Sequence, residues 1–164
     1  MQEDPDTRNV ISQKRGLIIF VLISFFTFLI DQLTKHLFFS DIYAGRAIVG
    51  NVLQFVLHTN YGMSFNIPIP RLIILGITFL VLISILYVMY KKKVHHTATW
   101  LGLALVFGGA IGNMSDRILF SYVRDWLLLF GRSAINLADI SILIGIALYL
   151  FSQEHHHQES KEAA

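Results

Sequence analysis

Asp116 and Asp139 each stand three residues after an asparagine, Asn113 and Asn136, within segments otherwise apolar enough for lipid. Two carboxylates brought to one dry site cannot both ionise easily. One pKa rises, the other falls, and the pair shares a proton. The ionised member can take a proton from water while the protonated member polarises a carbonyl. That is the acid–base chemistry of aspartic proteases. At i, i+3 each asparagine is placed to hydrogen-bond near its own aspartate and orient it.

Other polar groups lie nearby in the same pattern. Asp31 and Lys35, at i, i+4, read as a pair that neutralises itself, for structure or substrate positioning. Gly109, Gly112, Asn113 and Asp116 recur on one helix face. Gly108 and Gly112 form a small-xxx-small pair that lets a neighbouring backbone approach. An ionisable residue inside a span costs at least about 2.5 to 3.5 kcal/mol on insertion scales. Interhelical glue alone is an expensive use of Asp116 and Asp139. A divalent metal is a weaker reading, because no histidine falls at their depth and the chain has no cysteine.

These residues need elements to hold them. The chain of 164 residues is 54% hydrophobic and 15% charged, against about 25% charged in soluble domains. That balance indicates a membrane protein. A net charge of +2, without a basic aromatic face, argues against nucleic acid. Spans of about 20 apolar residues are expected at 17–38, 72–90, 98–118 and 134–151, with polar, mobile tails at 1–13 and 152–164. The whole chain, 1–164, reads as one membrane domain.

Lys14 and Arg15 precede the first span. Lys91, Lys92 and Lys93 follow the second. Both clusters belong in the cytoplasm by the positive-inside rule, and so do both termini. At about 1.5 Å per residue, Asp31 lies about 21 Å along an outward-running helix. Asp116 and Asp139 lie near the outer ends of their spans. All three carboxylates are expected in the outer third of the bilayer. Segment 41–70 contains NVLQFVLHT, which reads as a strand, with turns marked by Gly62, Pro68 and Pro70. Segment 118–133, with Tyr122, Trp126 and several leucines, reads as an interfacial helix. The expected fold is thus an all-α integral membrane protein of four transmembrane helices, with a small extracytoplasmic β-sheet and an interfacial helix. His95, His96 and the tail histidines His155, His156 and His157 read as solvated side chains.

Five blocks in order, DQLTK at 31–35, NYGMSF at 60–65, GGAIGNMSDR at 108–117, VRDW at 123–126 and INLADI at 135–140, resemble those of bacterial lipoprotein signal peptidases, the type II signal peptidases. The resemblance covers nearly the whole chain. It implies an aspartic endopeptidase of the cytoplasmic membrane, without a cofactor, that cuts diacylglyceryl-prolipoproteins before the lipidated cysteine. It implies Asp116 and Asp139 as the catalytic pair. It implies Asp31, Lys35, Asn60, Gly62, Asn113, Arg117 and Asn136 as lining positions. Asp125 matches an aspartate of the family motif and reads as an anchor for the surface helix. Expected partners are the lipidated substrates and membrane lipid, with the enzyme a monomer. Met63, Trp126 and Ile135 depart from the family's usual residues and bear on pocket width. The alternative is a small proton-coupled transporter. It requires polar residues along a whole pathway, and the inner halves of these spans are nearly uniformly apolar. A non-enzymatic anchor or assembly protein leaves Asp116 and Asp139 unexplained.

Overall fold

The computed structural model describes residues 5–40, 42–50, 52–62, 69–91 and 97–162, with side chains described between residues 13 and 153 of these. Met63, His95 and His96 lie outside the described residues, as do the side chains of His155, His156 and His157. Four helices and four strands occur in the order α1 Pro5–Phe38, β1 Ala47–Val49, β2 Leu53–Asn60, α2 Arg71–Lys91, α3 Thr97–Phe120, β3 Val123–Leu129, β4 Ser133–Ile135 and α4 Leu137–Glu162.

Three helical segments are long and apolar enough to cross a membrane: Gln13–Phe38, Arg71–Lys91 and Thr97–Phe120. The fourth span, expected at 134–151, differs. Residues 133–135 are strand, and the apolar part of α4 is the shorter Leu137–Gln153. At 1.5 Å per residue it covers about 25 Å of a hydrocarbon core of about 30 Å. The tails also differ from expectation. Helix α1 begins at Pro5, a residue suited to the first helical position because its missing N–H has no partner there. Helix α4 runs on to Glu162 through Gln, Glu and Lys, which are good helix formers.

Helix α3 is the hub and packs most extensively on α4 and α1. Its glycines explain how. A Cβ on Gly108 would lie 2.6 Å from Ser24 O of α1, and one on Gly109 would lie 2.7 Å from Ala138 O of α4. Only hydrogen side chains permit both approaches at once. The Ser24 hydroxyl crosses the first contact to donate to Ala104 O at 3.1 Å. Toward the other end of the bundle, Phe20, Ile85, Trp100, Leu103 and Ala104 close an apolar core. The outward sides of α1 and α2 stay apolar and exposed, as lipid requires.

The four strands form one antiparallel sheet in the order β1-β2-β3-β4. The strand expected in 41–70 is β2. The interfacial helix expected over 118–133 is not formed: α3 ends at Phe120 and the rest is β3 with its turn. Ser121 at φ 74 breaks the helix. The next residues find backbone partners on both sides, Asn60↔Val123 on β2 and Leu127↔Ile135 on β4. A helix on the surface would have satisfied its own backbone, but the sheet also buries Val123, Asp125, Trp126 and Leu127. Gly131 at φ 63 and Phe130 at φ 50 make the β3–β4 turn. Rings fasten the sheet to the end of α1: Phe38 lies 4.8 Å from Trp126 and 5.1 Å from Phe55 between centroids.

Candidate active site

The start of α4 shapes the site. Asn136 caps the helix: its Oδ1 accepts from Asp139 N–H at 3.0 Å, and its own N–H donates to Asp139 Oδ2 at 3.2 Å. This is a reciprocal capping box. Asp31 of α1 serves the same helix end by accepting from Ala138 N–H at 2.9 Å. Two of the helix's orphan donors are thus satisfied, and Asp139 is fixed on the first turn, where the helix dipole favours negative charge.

Three asparagines then face the carboxylates, and each can point only one way. Asn136 Oδ1 is taken by a backbone N–H, so its Nδ2 donates to Asp125 Oδ1 at 2.6 Å. Asn60 Oδ1 accepts from Gly62 N–H at 3.1 Å, so its Nδ2 donates to Asp125 Oδ2 at 3.1 Å. Asn113 Oδ1 accepts from Lys35 Nζ at 2.9 Å, so its Nδ2 donates to Asp139 Oδ1 at 2.8 Å. An ammonium and two backbone N–H groups cannot accept, and this fixes the amides. Asn113 therefore serves Asp139, not the Asp116 three residues along its own helix. Lys35 lies between Asn113 and Asp116.

Asp125 is fully buried on β3. Burial first, and the charge of nearby Asp139 second, push its carboxyl up to about 7 against the pull of its two amide donors. Asp116 has other company. It is fully buried and accepts from the backbone N–H of Arg124 at 3.0 Å and from its Nη2 at 2.8 Å. Lys35 Nζ lies 3.4 Å away, and 2.9 Å from Asp31. Gln32 bridges the cluster, donating to Asp31 and Asp116 and accepting from Arg124 at 2.9 Å. The ring of Phe120 stacks under the guanidinium at 4.6 Å. Asp116 is thus neutralised twice and enclosed. Asp116 reaches Asp139 through Lys35 and Asn113, and Asp125 reaches it through Asn136 alone.

The remaining expected positions are close by. Arg117 donates to Gly62 O at 3.0 Å and to Asn113 O at 3.4 Å, while its buried Nε has no hydrogen-bond partner. An apolar cavity of about 280 Å³ runs between α2, α3 and α4, lined by Ile74, Ile77, Val81 and Ile146, and ends at Asn60, Arg117 and Asp139. Among the described residues no group of three or more His, Asp or Glu is placed to hold a metal ion. Trp126 sits in the ring cluster and Ile135 on β4, beside a second cavity.

Gln32 and Arg124 were not among the expected site residues, and Asp125 was expected as an anchor and not at the site. For Asp125 the signal lies in the strand and not in the hydropathy: once 123–129 is a strand, residues 124 and 125 point to opposite faces. Gln32 and Arg124 have no such signal, since their partners lie 84 and 8 residues away.

Buried carboxylates beside an apolar groove, on a bundle with spanning helices, define a membrane-embedded aspartic protease. A family model described as Signal peptidase (SPase) II matches residues 23–153, and the chain belongs to that family. It removes signal peptides from prolipoproteins at the bacterial inner membrane. The lipoprotein signal peptidase of Halothermothrix orenii is 35% identical over 131 residues, covering 77% of this chain and 90% of its own. That of Dichelobacter nodosus is 29% identical over 145 residues, covering 83% and 94%. Two solved bacterial membrane enzymes, determined in meso, share the fold. One has a TM-score of 0.77 at 25% identity, covering 85% of this chain and 90% of its own, and the other 0.72 at 26%, covering 82% and 91%.

Proposed function

We propose that Asp125 and Asp139 are the catalytic pair, and that Asp116 is a structural ion that holds β3. The observation that carries this reading is Asn136, which donates to Asp125 while capping Asp139. Asp125, pushed up to about 7, keeps the shared proton and hydrogen-bonds the scissile carbonyl. Asp139, on the first turn of α4, draws a proton from the attacking water. The tetrahedral intermediate then collapses as the leaving amine takes a proton from the pair. Arg117, with an unpartnered Nε at the cavity end, is a donor for a substrate backbone carbonyl. Asp31, Lys35, Asn60, Asn113 and Asn136 orient the pair, and Gly62 ties Asn60 to Arg117.

In this reading α4 is a fourth span, both termini are cytoplasmic, and the sheet and the site lie at the outer leaflet. Lys14 and Arg15 at the start of the apolar span of α1, and Lys91 to Lys93 at and after the end of α2, support that orientation. The substrate is the diacylglyceryl form, cut before its lipidated cysteine. Residues 1–164 act as one membrane domain and as a monomer; activity should track the monomer peak in detergent.

The test is cleavage of a diacylglyceryl-prolipoprotein peptide by purified protein. Asp125→Asn and Asp139→Asn should each lose about 10²- to 10⁴-fold, the share of a positioned acid–base group. Normal turnover in either variant would sink the pair. Loss of wild-type activity in a chelator, restored by zinc, would favour metal chemistry instead.

A further inference from the structure

Three cavities meet at Asn60. The apolar one between the helices ends at Asp139. A second, of about 200 Å³, shares Asn60, Asp139 and Ile142 with it and continues past Ser133 and Ala134 of β4. A third, also of about 200 Å³, shares Asn60, Ser133 and Ala134 with the second and reaches His58 and Arg132. The walls run from apolar, past Asp139, to a mixed lining in which His58, Arg132 and Ser133 are the polar side chains beyond Asn60. A chain laid through it presents its scissile bond in the middle. The apolar side suits the signal segment and acyl chains, so the polar side receives the residues beyond the cysteine.

We propose that the cavity between His58 and Arg132 is the subsite for the first residues of the mature lipoprotein, and that it favours acidic side chains there. The proposal rests on the catalytic reading of Asp125 and Asp139. Its walls bring the guanidinium of Arg132 and the imidazole of His58, and no carboxylate among the lining residues. Arg132 stands on the β3–β4 turn, held by its own N–H to Leu129 O at 2.9 Å. Its guanidinium forms no salt bridge among the described residues, whereas Arg124 spends its charge on Asp116. An extended chain advances about 3.3 Å per residue, so a cavity one step beyond Asp139 meets the second and third residues after the cut, not a distant part of the substrate.

The experiment uses three diacylglyceryl peptides, matched except for Asp, Ser or Lys at the two positions after the cysteine, with full-length enzyme in uncharged detergent. The wild type should prefer Asp over Lys by about 2- to 5-fold in kcat/KM, the scale of an exposed ion pair. Arg132→Gln should flatten the series and Arg132→Glu should invert it. Arg46→Glu, on the approach to the far strand β1, should leave the order unchanged. A series that keeps its order in Arg132→Glu overturns the subsite. So does a flat wild-type series at full turnover, which leaves the catalytic pair standing. If the Arg132 variants act equally on all three peptides, and only in vesicles of anionic phospholipid, the arginine serves lipid headgroups and the subsite is wrong. Normal turnover in Asp125→Asn would instead strike the catalytic reading.

Discussion

Asn136 donates its side-chain amide to Asp125 at 2.6 Å, and it cannot turn, because Asp139 N–H occupies its carbonyl oxygen. One residue therefore sets both carboxyls of the proposed pair. It also makes their proton sharing testable.

The pair works with one proton, which Asp125 holds up to about pH 7. Activity should fall on the alkaline side of that value. Amide donors favour the ionised carboxylate, so removing one raises the pKa further. Asn60→Ala should move the alkaline limb of kcat/KM to higher pH. A limb that stays put, or moves down, would count against Asp125 as the proton holder. The same shift bears on stability. Below 3.8 the folded and unfolded chains are both protonated at Asp125, and between there and about 7 only the folded chain keeps the proton. Its contribution to stability is thus fully present at low pH and is lost as the pH rises through about 7.

Asp116→Asn separates structure from chemistry. The variant leaves half-buried Arg124 facing a neutral partner and buried Lys35 with Asp31 alone, so the loss should approach the lower end of the about 3 to 5 kcal/mol that breaking a buried pair costs. Thermal stability and yield should drop. Molecules that fold should keep turnover far above that of the Asp125 and Asp139 variants. A stable but inactive Asp116→Asn enzyme would return Asp116 to the catalytic pair.

The contrast between Asp116 and Asp125 also shows what the chain discloses before it folds. Hydropathy located three spanning helices, and the glycine face of α3 identified its packed side, where Asp116 indeed lies. Nothing in spacing along one helix reveals which cation will arrive from elsewhere, and Lys35 and Arg124 come from α1 and β3. The leucines and aromatics of 118–133 suit a surface helix as well as a strand. The choice was made by β2 and β4, which offer backbone partners on either side. Once that segment is a strand, Asp125 must face opposite to Arg124, and the site is complete.

Orientation can be checked directly. Reporter domains fused after Lys91 and after Glu162 should register in the cytoplasm, and one inserted at Gly131 should register outside. Lys14 and Arg15 at the start of the first apolar span, and the lysines that end α2 and follow it, predict this pattern. An exchange of the signals would invert the sheet and remove the argument that the site meets the outer leaflet.

Cleavage should require the lipid on the substrate. The signal segment of a prolipoprotein is apolar along its length, so it can slide in depth beside α2 and α4 at little cost. Acyl chains on the residue after the scissile bond prevent that. Each buried methylene is worth about 0.8 kcal/mol, so two chains hold their depth firmly. The pair's own depth is set by the cap of α4, where Asn136 and Asp31 fix the first turn. A bond pinned at that level spends its time near Asp125 and Asp139, and membrane affinity becomes positioning, which is a source of rate. Matched peptides with and without diacylglycerol on the cysteine should be compared at equal membrane-bound concentration. The unlipidated peptide should be cut far more slowly, with the loss in kcat as well as KM, because alignment rather than occupancy is missing. Equal rates would make this a general intramembrane aspartic protease and would end the pinning argument.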